Sequence, residues 1–373
     1  MMTPAPARAR PGPARWLAVA ALALLAGCAT RAPVAPPRGP AEIRADLLRL
    51  LPPKVADREG WARDIAAAFA AQGLDPGRPN LCAVVAVTEQ ESSFSADPAV
   101  PGLSRIARAE IERRARAVHL PPFLVNTALG LRSPDGRTYD ERLDAVRTEG
   151  QLSGIFEDFI GMVPMGRVLF DGLNPVRTGG PMQVGIAFAQ AHADGYPYPV
   201  ADSIRREVFT RRGGVYFGIA HLLGYPAPYD ALLYRFADFN AGWYASRNAA
   251  FQSAVGRLTG IGLALDGDLL IAGSPAPSRT ELAVRALRPR LDMDDAAIRR
   301  ALELEDSPGF EDTGLYRRVF ELAARGAGKP PPRAVVPDIV LNSPKITRRL
   351  TTAWFAQRVN DRWRRCMARA GGS

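Results

Sequence analysis

Lysine is almost missing from this chain. Lys54, Lys329 and Lys345 are the only three, so the formal charge of +10 is carried by arginine. An excess of that kind reads as the stamp of a GC-rich genome rather than of chemistry that needs ammonium groups. Histidine and cysteine are equally scarce, with three of each. His119, His192 and His221 stand far apart without ligand spacing, which argues against a zinc or iron enzyme, and no cofactor is expected. No apolar stretch approaches the roughly 18 residues that a membrane-spanning helix needs. There is no phosphate-binding glycine loop, no dinucleotide fingerprint, no Ser/His/Asp order and no internal repeat. Disorder is excluded as well. A chain of 373 residues with 47% hydrophobic and 23% charged residues can bury a sizeable core, as one large domain or two ordinary ones.

What is present begins with an address. Arg8, Arg10 and Arg15 precede an apolar run from Trp16 to Ala26, which ends in Gly27 and Cys28. This is the layout of a secretory signal peptide over 1–27. Leu25-Ala26-Gly27-Cys28 resembles a bacterial lipobox, which implies cleavage before Cys28 and lipidation of that cysteine. Several acyl chains on one residue would hold the mature chain to a bilayer, where a single chain binds only marginally. Ala29 rather than Asp after the cysteine implies, by the same resemblance, the outer membrane, with the chain facing the periplasm. Loss of the three leader arginines lowers the net charge to about +7, which suits a polyanionic cell wall or lipid head groups. Export argues against nucleic acid. The compartment is oxidising, so Cys82 and Cys366 can pair; the alternative is two buried thiols.

The pattern beyond the leader is helical. Pro33, Pro36, Pro37 and Pro40 make 28–40 an extended tether. Helical spacing covers 41–51, 57–72, 80–93 and 104–118, then 139–162 with a break near Gly150. Further helices are predicted over 181–193, 203–223 and 229–256. Beyond 257 the chain changes character. A short hairpin is expected around Asp266-Gly267, helices at 279–288, 294–305 and 312–325, and a long basic helix over 343–370. Its arginines beside Trp354, Phe355, Val359 and Trp363 suit a lipid or acidic surface, or a solvated face whose apolar stripe packs on the domain.

Three segments bear on chemistry. The apolar helix Leu81–Val87 runs into Glu89-Gln90-Glu91-Ser92-Ser93-Phe94. Burying a carboxyl at such a helix end disfavours its charged form and raises its pKa, as a general acid requires. Gln90-Glu91-Ser92-Ser93-Phe94 resembles the Glu-Ser motif of soluble-type lytic transglycosylases. Gly180-Pro181-Met182-Gln183-Val184 resembles their Gly-Leu-Met-Gln motif, and Phe239-Asn240-Ala241-Gly242 their Tyr-Asn-Ala-Gly motif, with Gly214–Leu223 like the helix before it. The order is the family's. Glu91 and Gly180 are far apart where the family keeps them close, and Pro181 and Phe239 replace its leucine and tyrosine.

The resemblance implies a mainly α, lysozyme-like fold. A catalytic domain would span 41–256 with an inserted helical element at about 101–178, and a helical extension would follow over 257–373, with few short β segments. It implies cleavage of the β-1,4 bond between N-acetylmuramic acid and N-acetylglucosamine, with Glu91 as acid and then base. Ser92, Met182, Gln183, Phe239 and Asn240 would line the substrate cleft. The partners would be peptidoglycan strands and, through the anchor, a membrane. Two other readings stay open: a wall-binding protein without activity, or a hydrolase using Asp97 or Asp238 as a second carboxylate.

Overall fold

Helix α1 (Pro40–Leu50) opens the unit that contains the core, and α2 (Arg58–Ala71) packs against it. The computed structural model describes residues 38–369 apart from 163, 166–167, 169–170, 329 and 342–348. The leader, Cys28 and most of the tether lie outside the described residues. The fold is mainly α, with four two-residue strands among the described residues.

Helix α3 (Arg78–Ser92) is the centre of the first core. Every residue from Leu81 to Thr88 is buried. A helix that is apolar on all sides has to be enclosed on all sides. Here the enclosure comes from α1, from α10 (Arg211–Leu223) and above all from α17 (Thr352–Arg369). Helix α17 is amphipathic: Phe355, Ala356, Val359 and Cys366 face inward, while its arginines flank them. Its apolar stripe therefore packs on the domain, the second of the two readings of this basic segment. The expected helix start at 343 is displaced. Residues 342–348 lie outside the described set, and Leu350–Thr351 (β4) pairs with Val340–Leu341 (β3) before α17 begins. Cys82 and Cys366 form a disulfide that joins α3 to α17 across 284 positions.

The inserted element contains α4 (Leu103–Ala117), α5 (Pro122–Leu129), α6 (Tyr139–Ala145) and α7 (Glu149–Gly161). The break between α6 and α7 falls at 146–148, not at Gly150. Thr138 and Thr148 each form a capping box, with Glu141 and Gln151 respectively, so each helix has its own start. Gly150 sits in the first turn of α7 against Asp97. Helix α5 does not show in the periodicity.

The expected helix over 181–193 starts late. Thr178–Gly179 (β1) and Val184–Gly185 (β2) form a hairpin, and α8 covers only Ile186–Ala191. The turn between them needs positive φ at Gly180 (+74°), and a side chain there would strike the Val208 carbonyl. Helix α9 (Ile204–Val208) precedes α10, and α11 (Leu232–Ala241) precedes α12 (Ala245–Thr259).

The segment after 257 divides. Helices α13 (Arg279–Arg285), α14 (Arg288–Leu291), α15 (Asp295–Leu302) and α16 (Gly314–Ala327) build a second core with α12, around Phe251, Phe310, Tyr316 and Phe320. Residues 350–369 then return to the first core. The hairpin expected around Asp266-Gly267 is instead a loop without strand pairing. Gln252 holds it: Nε2 donates to Asp266 Oδ1 at 2.8 Å and the Asp268 carbonyl at 3.0 Å, while Oε1 accepts from the Gly267 amide at 3.0 Å. A buried side chain has taken the place of a partner strand.

Close packing gives one prediction here. A Cβ on Gly218 of α10 would lie 2.5–2.9 Å from Met182 Sδ, Cβ and Cγ. Gly218→Ala is therefore expected to lower stability by about 1–3 kcal/mol through overpacking. Met182→Ala would remove Sδ and Cγ but leave its Cβ 2.6 Å away, so adding it should not restore the loss in denaturant unfolding. A Gly218→Ala protein as stable as wild type would refute the contact.

Candidate active site

Glu91 lies in the last turn of α3. The helix ends because Ser93 and Phe94 both adopt left-handed backbone, at φ 50° and 64°. Two consecutive non-glycine residues in that region are strained by about 1–3 kcal/mol each, and such strain gathers at functional sites. Phe94 is held by an edge-on contact with Trp61, ring centres 5.2 Å apart. The turn leaves the Glu91 side chain partly accessible to solvent, while protein atoms crowd its carboxyl. Desolvation pushes its pKa up to about 7, opposed by the charge of Arg362 on α17. No hydrogen bond or ion pair to this carboxyl occurs among the described residues. Its neighbour behaves differently: Glu89 lies 3.8 Å from both Arg362 and Arg365. Two carboxyls two positions apart thus have separate environments, one charge-paired and one desolvated.

The other expected site residues divide. Ser92 Oγ donates to the Thr88 carbonyl at 3.1 Å, closing the helix end on itself. This accounts for Ser92 as a local helix hydroxyl rather than a substrate ligand. Met182 is fully buried beneath Gly218 of α10, so it lines no cleft; its role is packing. Gln183 is half-buried at φ 51°, and its Nε2 donates to Glu149 Oε2 at 3.1 Å. Glu149, buried at the start of α7, ties the inserted element to the second motif. Periodicity gave no sign of it, because its partner is remote in sequence.

Phe239 is buried on α11 and its ring lies 4.9 Å from that of His221 on α10. Asn240 is exposed, and its Oδ1 accepts from Thr352 Oγ1 at 3.0 Å. It therefore anchors the start of α17 rather than one wall of a cleft. All three motif segments meet α10, which packs on α3, covers Met182 and touches Phe239. His221 forms a ring cluster with Phe188, His192 and Trp243, and Trp243 Nε1 donates to the His221 carbonyl at 2.7 Å. Burial, and secondarily His192, lowers the His221 pKa to about 4, so its imidazole is neutral.

The two carboxylates considered as a second acid fare differently from Glu91. Asp238 is fully buried. It accepts from Tyr225 and Tyr229 hydroxyls at 2.9 and 2.7 Å and from the Ser246 amide at 2.7 Å, capping the start of α12. A group so engaged has no face for substrate. Asp238→Ala would strand three donors and is expected to cost about 2–4 kcal/mol of stability, measured by denaturant unfolding. An unchanged midpoint would contradict that assignment. Asp97 accepts from the Gly150 amide at 3.2 Å, and burial raises its pKa. It lines a cavity of about 550 Å³ with Arg137, Arg142, Asp158 and Arg206, to which Glu91 does not contribute. No group of three or more His, Cys, Asp or Glu side chains is placed to hold a metal ion among the described residues.

Comparison with known proteins adds the family. Residues 54–369 match the family described as protein of unknown function DUF1615, and the chain belongs to it. It is similar to the uncharacterised protein YaiW of Escherichia coli K12, with 56% identity over 360 residues, 96% of this chain and 99% of that protein. No solved structure matches the chain.

Proposed function

We propose that the protein is a lytic transglycosylase of the cell wall, anchored through Cys28 to the outer membrane and facing the periplasm. The observation that carries the reading is Glu91: a lone, partly accessible carboxyl with a pKa raised to about 7 at the end of a buried helix. Such a group holds a proton at neutral pH and can give it up. In the reaction, Glu91 donates its proton to the glycosidic oxygen, and the bond from that oxygen to C1 of N-acetylmuramic acid breaks. The C6 oxygen of the same sugar closes onto C1, and its proton passes to the Glu91 carboxylate. The product is a 1,6-anhydro sugar, water is not consumed and the acid is restored.

One carboxyl serves both steps, which fits a site where Asp238 is consumed by its three donors and Asp97 lines a cavity to which Glu91 does not contribute. Hydrolysis would need a second carboxylate, at about 5–5.5 Å for retention or 6.5–9.5 Å for inversion. The test is the product class released from purified sacculi, read by mass spectrometry. Anhydro ends support the proposal. Reducing ends would make the protein a hydrolase, and no release would leave a binding protein.

A further inference from the structure

Helix α5 is anomalous for a soluble surface. Its sequence, PFLVNTAL, is predominantly apolar, yet none of its residues is buried. Phe123 is 65% exposed, and Val118, just before the helix, 73%. Leu120, Leu124, Leu131 and Leu173 are exposed nearby. Exposed apolar patches of this extent mark sites of interaction. Between α4, α5 and α7 lies a groove of about 680 Å³, lined by apolar side chains such as Ile111, Val125, Leu129 and Phe159. Arg113, Arg114, Arg177 and Glu110 also line it, with Glu110 paired to Arg113 at 2.7 Å and to Arg114 at 2.6 Å. Helix α4, which forms one side, carries five arginines against two glutamates. Glu110 and Glu112 pair with Arg113, Arg114 and Arg116, and Arg108 pairs with Asp140 and Asp144 of α6, so the helix keeps a net positive charge after these pairs.

We infer that this face is a bilayer-docking surface: Val118, Leu120, Phe123 and Leu124 enter the acyl boundary of an anionic membrane while the α4 arginines meet its phosphates. The chemistry of the rim selects this occupant. An apolar wedge bordered by arginine is the pattern of interfacial helices, in which phenylalanine and leucine enter the hydrocarbon and guanidinium groups stay with the head groups. A protein partner that filled the groove would meet the same apolar floor but would need acidic side chains around it, whereas an anionic leaflet supplies both. The lipobox at Cys28 supplies the proximity. The tether from Cys28 to Pro40 has a reach of roughly 35 Å if extended, short enough to keep the domain at the membrane. Acyl chains on Cys28 would supply most of the affinity, so docking would chiefly set the orientation. The inserted element would then lie flat on the leaflet while its other end, through Glu149 and Gln183, holds the second motif.

This inference draws on the lipid-anchor part of the proposed function for proximity alone. It is tested without the anchor, so it can fail while transglycosylase activity stands. The chain from residue 28 onward, carrying Cys28→Ser, contains the whole unit that begins at Pro40. It is mixed with vesicles of phosphatidylcholine alone or with one quarter phosphatidylglycerol, and bound protein is measured by sedimentation. Binding to the mixed vesicles is expected, falling at least tenfold in Phe123→Asp/Leu124→Asp. Arg113→Gln/Arg116→Gln should weaken binding severalfold, and moderate salt should do the same. All four positions are exposed, so circular dichroism melts should match wild type. No sedimentation of the parent chain, or equal binding by all variants, would overturn the inference. So would self-association abolished by the Phe123/Leu124 change without any vesicle binding, since the occupant would then be a second copy.

Discussion

Glu91→Gln is expected to lower the rate of anhydro-muropeptide release from sacculi by about 10²–10⁴-fold, the range that positioned proton transfer contributes. The loss should lie at the upper end, because one carboxyl serves as acid and then as base. The amide is nearly isosteric, so binding to sacculi and the helical circular dichroism spectrum should survive. The pH dependence has a fixed sign. The first step needs the protonated acid, so kcat/KM should fall as pH rises through about 7, where the Glu91 pKa lies. Stability follows the same group. The folded pKa is raised above the ordinary 4.5, so Glu91's contribution is fully present below about 4.5 and is lost as pH rises through about 7. The Gln variant cannot ionise. It should therefore match wild type in denaturant unfolding at pH 4.5 and exceed it at pH 8. Turnover by Glu91→Gln at the wild-type rate would end the assignment, and identical pH profiles of stability would show that the carboxyl is not desolvated.

The second large effect concerns the join between α3 and α17. Cys82→Ala/Cys366→Ala is expected to lose about 2–5 kcal/mol of unfolding free energy, since the bridge closes a loop of nearly the whole domain. The sequence separation is 284 and both cysteines are fully buried, so reductant alone should act slowly until denaturant opens the core. The measurement is guanidinium unfolding of the double variant beside the oxidised parent. A midpoint that did not move would mean that packing of α17 alone holds the helix pair. A large drop should bring a loss of activity at temperatures where the parent is stable, since α17 carries Arg362, the charge that opposes the rise in the Glu91 pKa.

The helices were legible wherever apolar spacing repeats. The boundaries of α1 to α4 lie within a residue or two of those read from periodicity. A uniformly apolar run ending in carboxylates is physically odd, but that oddity does not choose between Glu89 and Glu91. The resemblance to the Glu-Ser motif is what named Glu91, and the separate environments of the two carboxyls come from α17. Other features depend on tertiary partners that no local pattern carries. Met182 reads equally as cleft or core until Gly218 is found above it. Asn240 reads as a cleft residue until Thr352, more than a hundred positions later, takes its oxygen. The left-handed residues Ser93, Phe94 and Gln183 carry no glycine to announce them. The loop at 266–267 has the composition of a hairpin turn, but a buried glutamine outcompetes strand pairing. Helix α5 escaped notice because it is short and only part of its apolar surface, Leu129 among it, packs on the core while Phe123 and Leu124 face outward.

The placement of α17 has a consequence for how the protein comes to exist. The helix that walls α3 is the last one described, so the first core cannot close until almost all of the chain is available. Contacts of such long sequence separation make folding slow, because the loop entropy is spent before the contacts reward it. A nascent chain stopped anywhere before residue 352 would expose the side of Leu81–Val87 that α17 covers. Under the export proposed from the leader, that delay would be an advantage: the first core would close only after α17 had followed the rest of the described chain across.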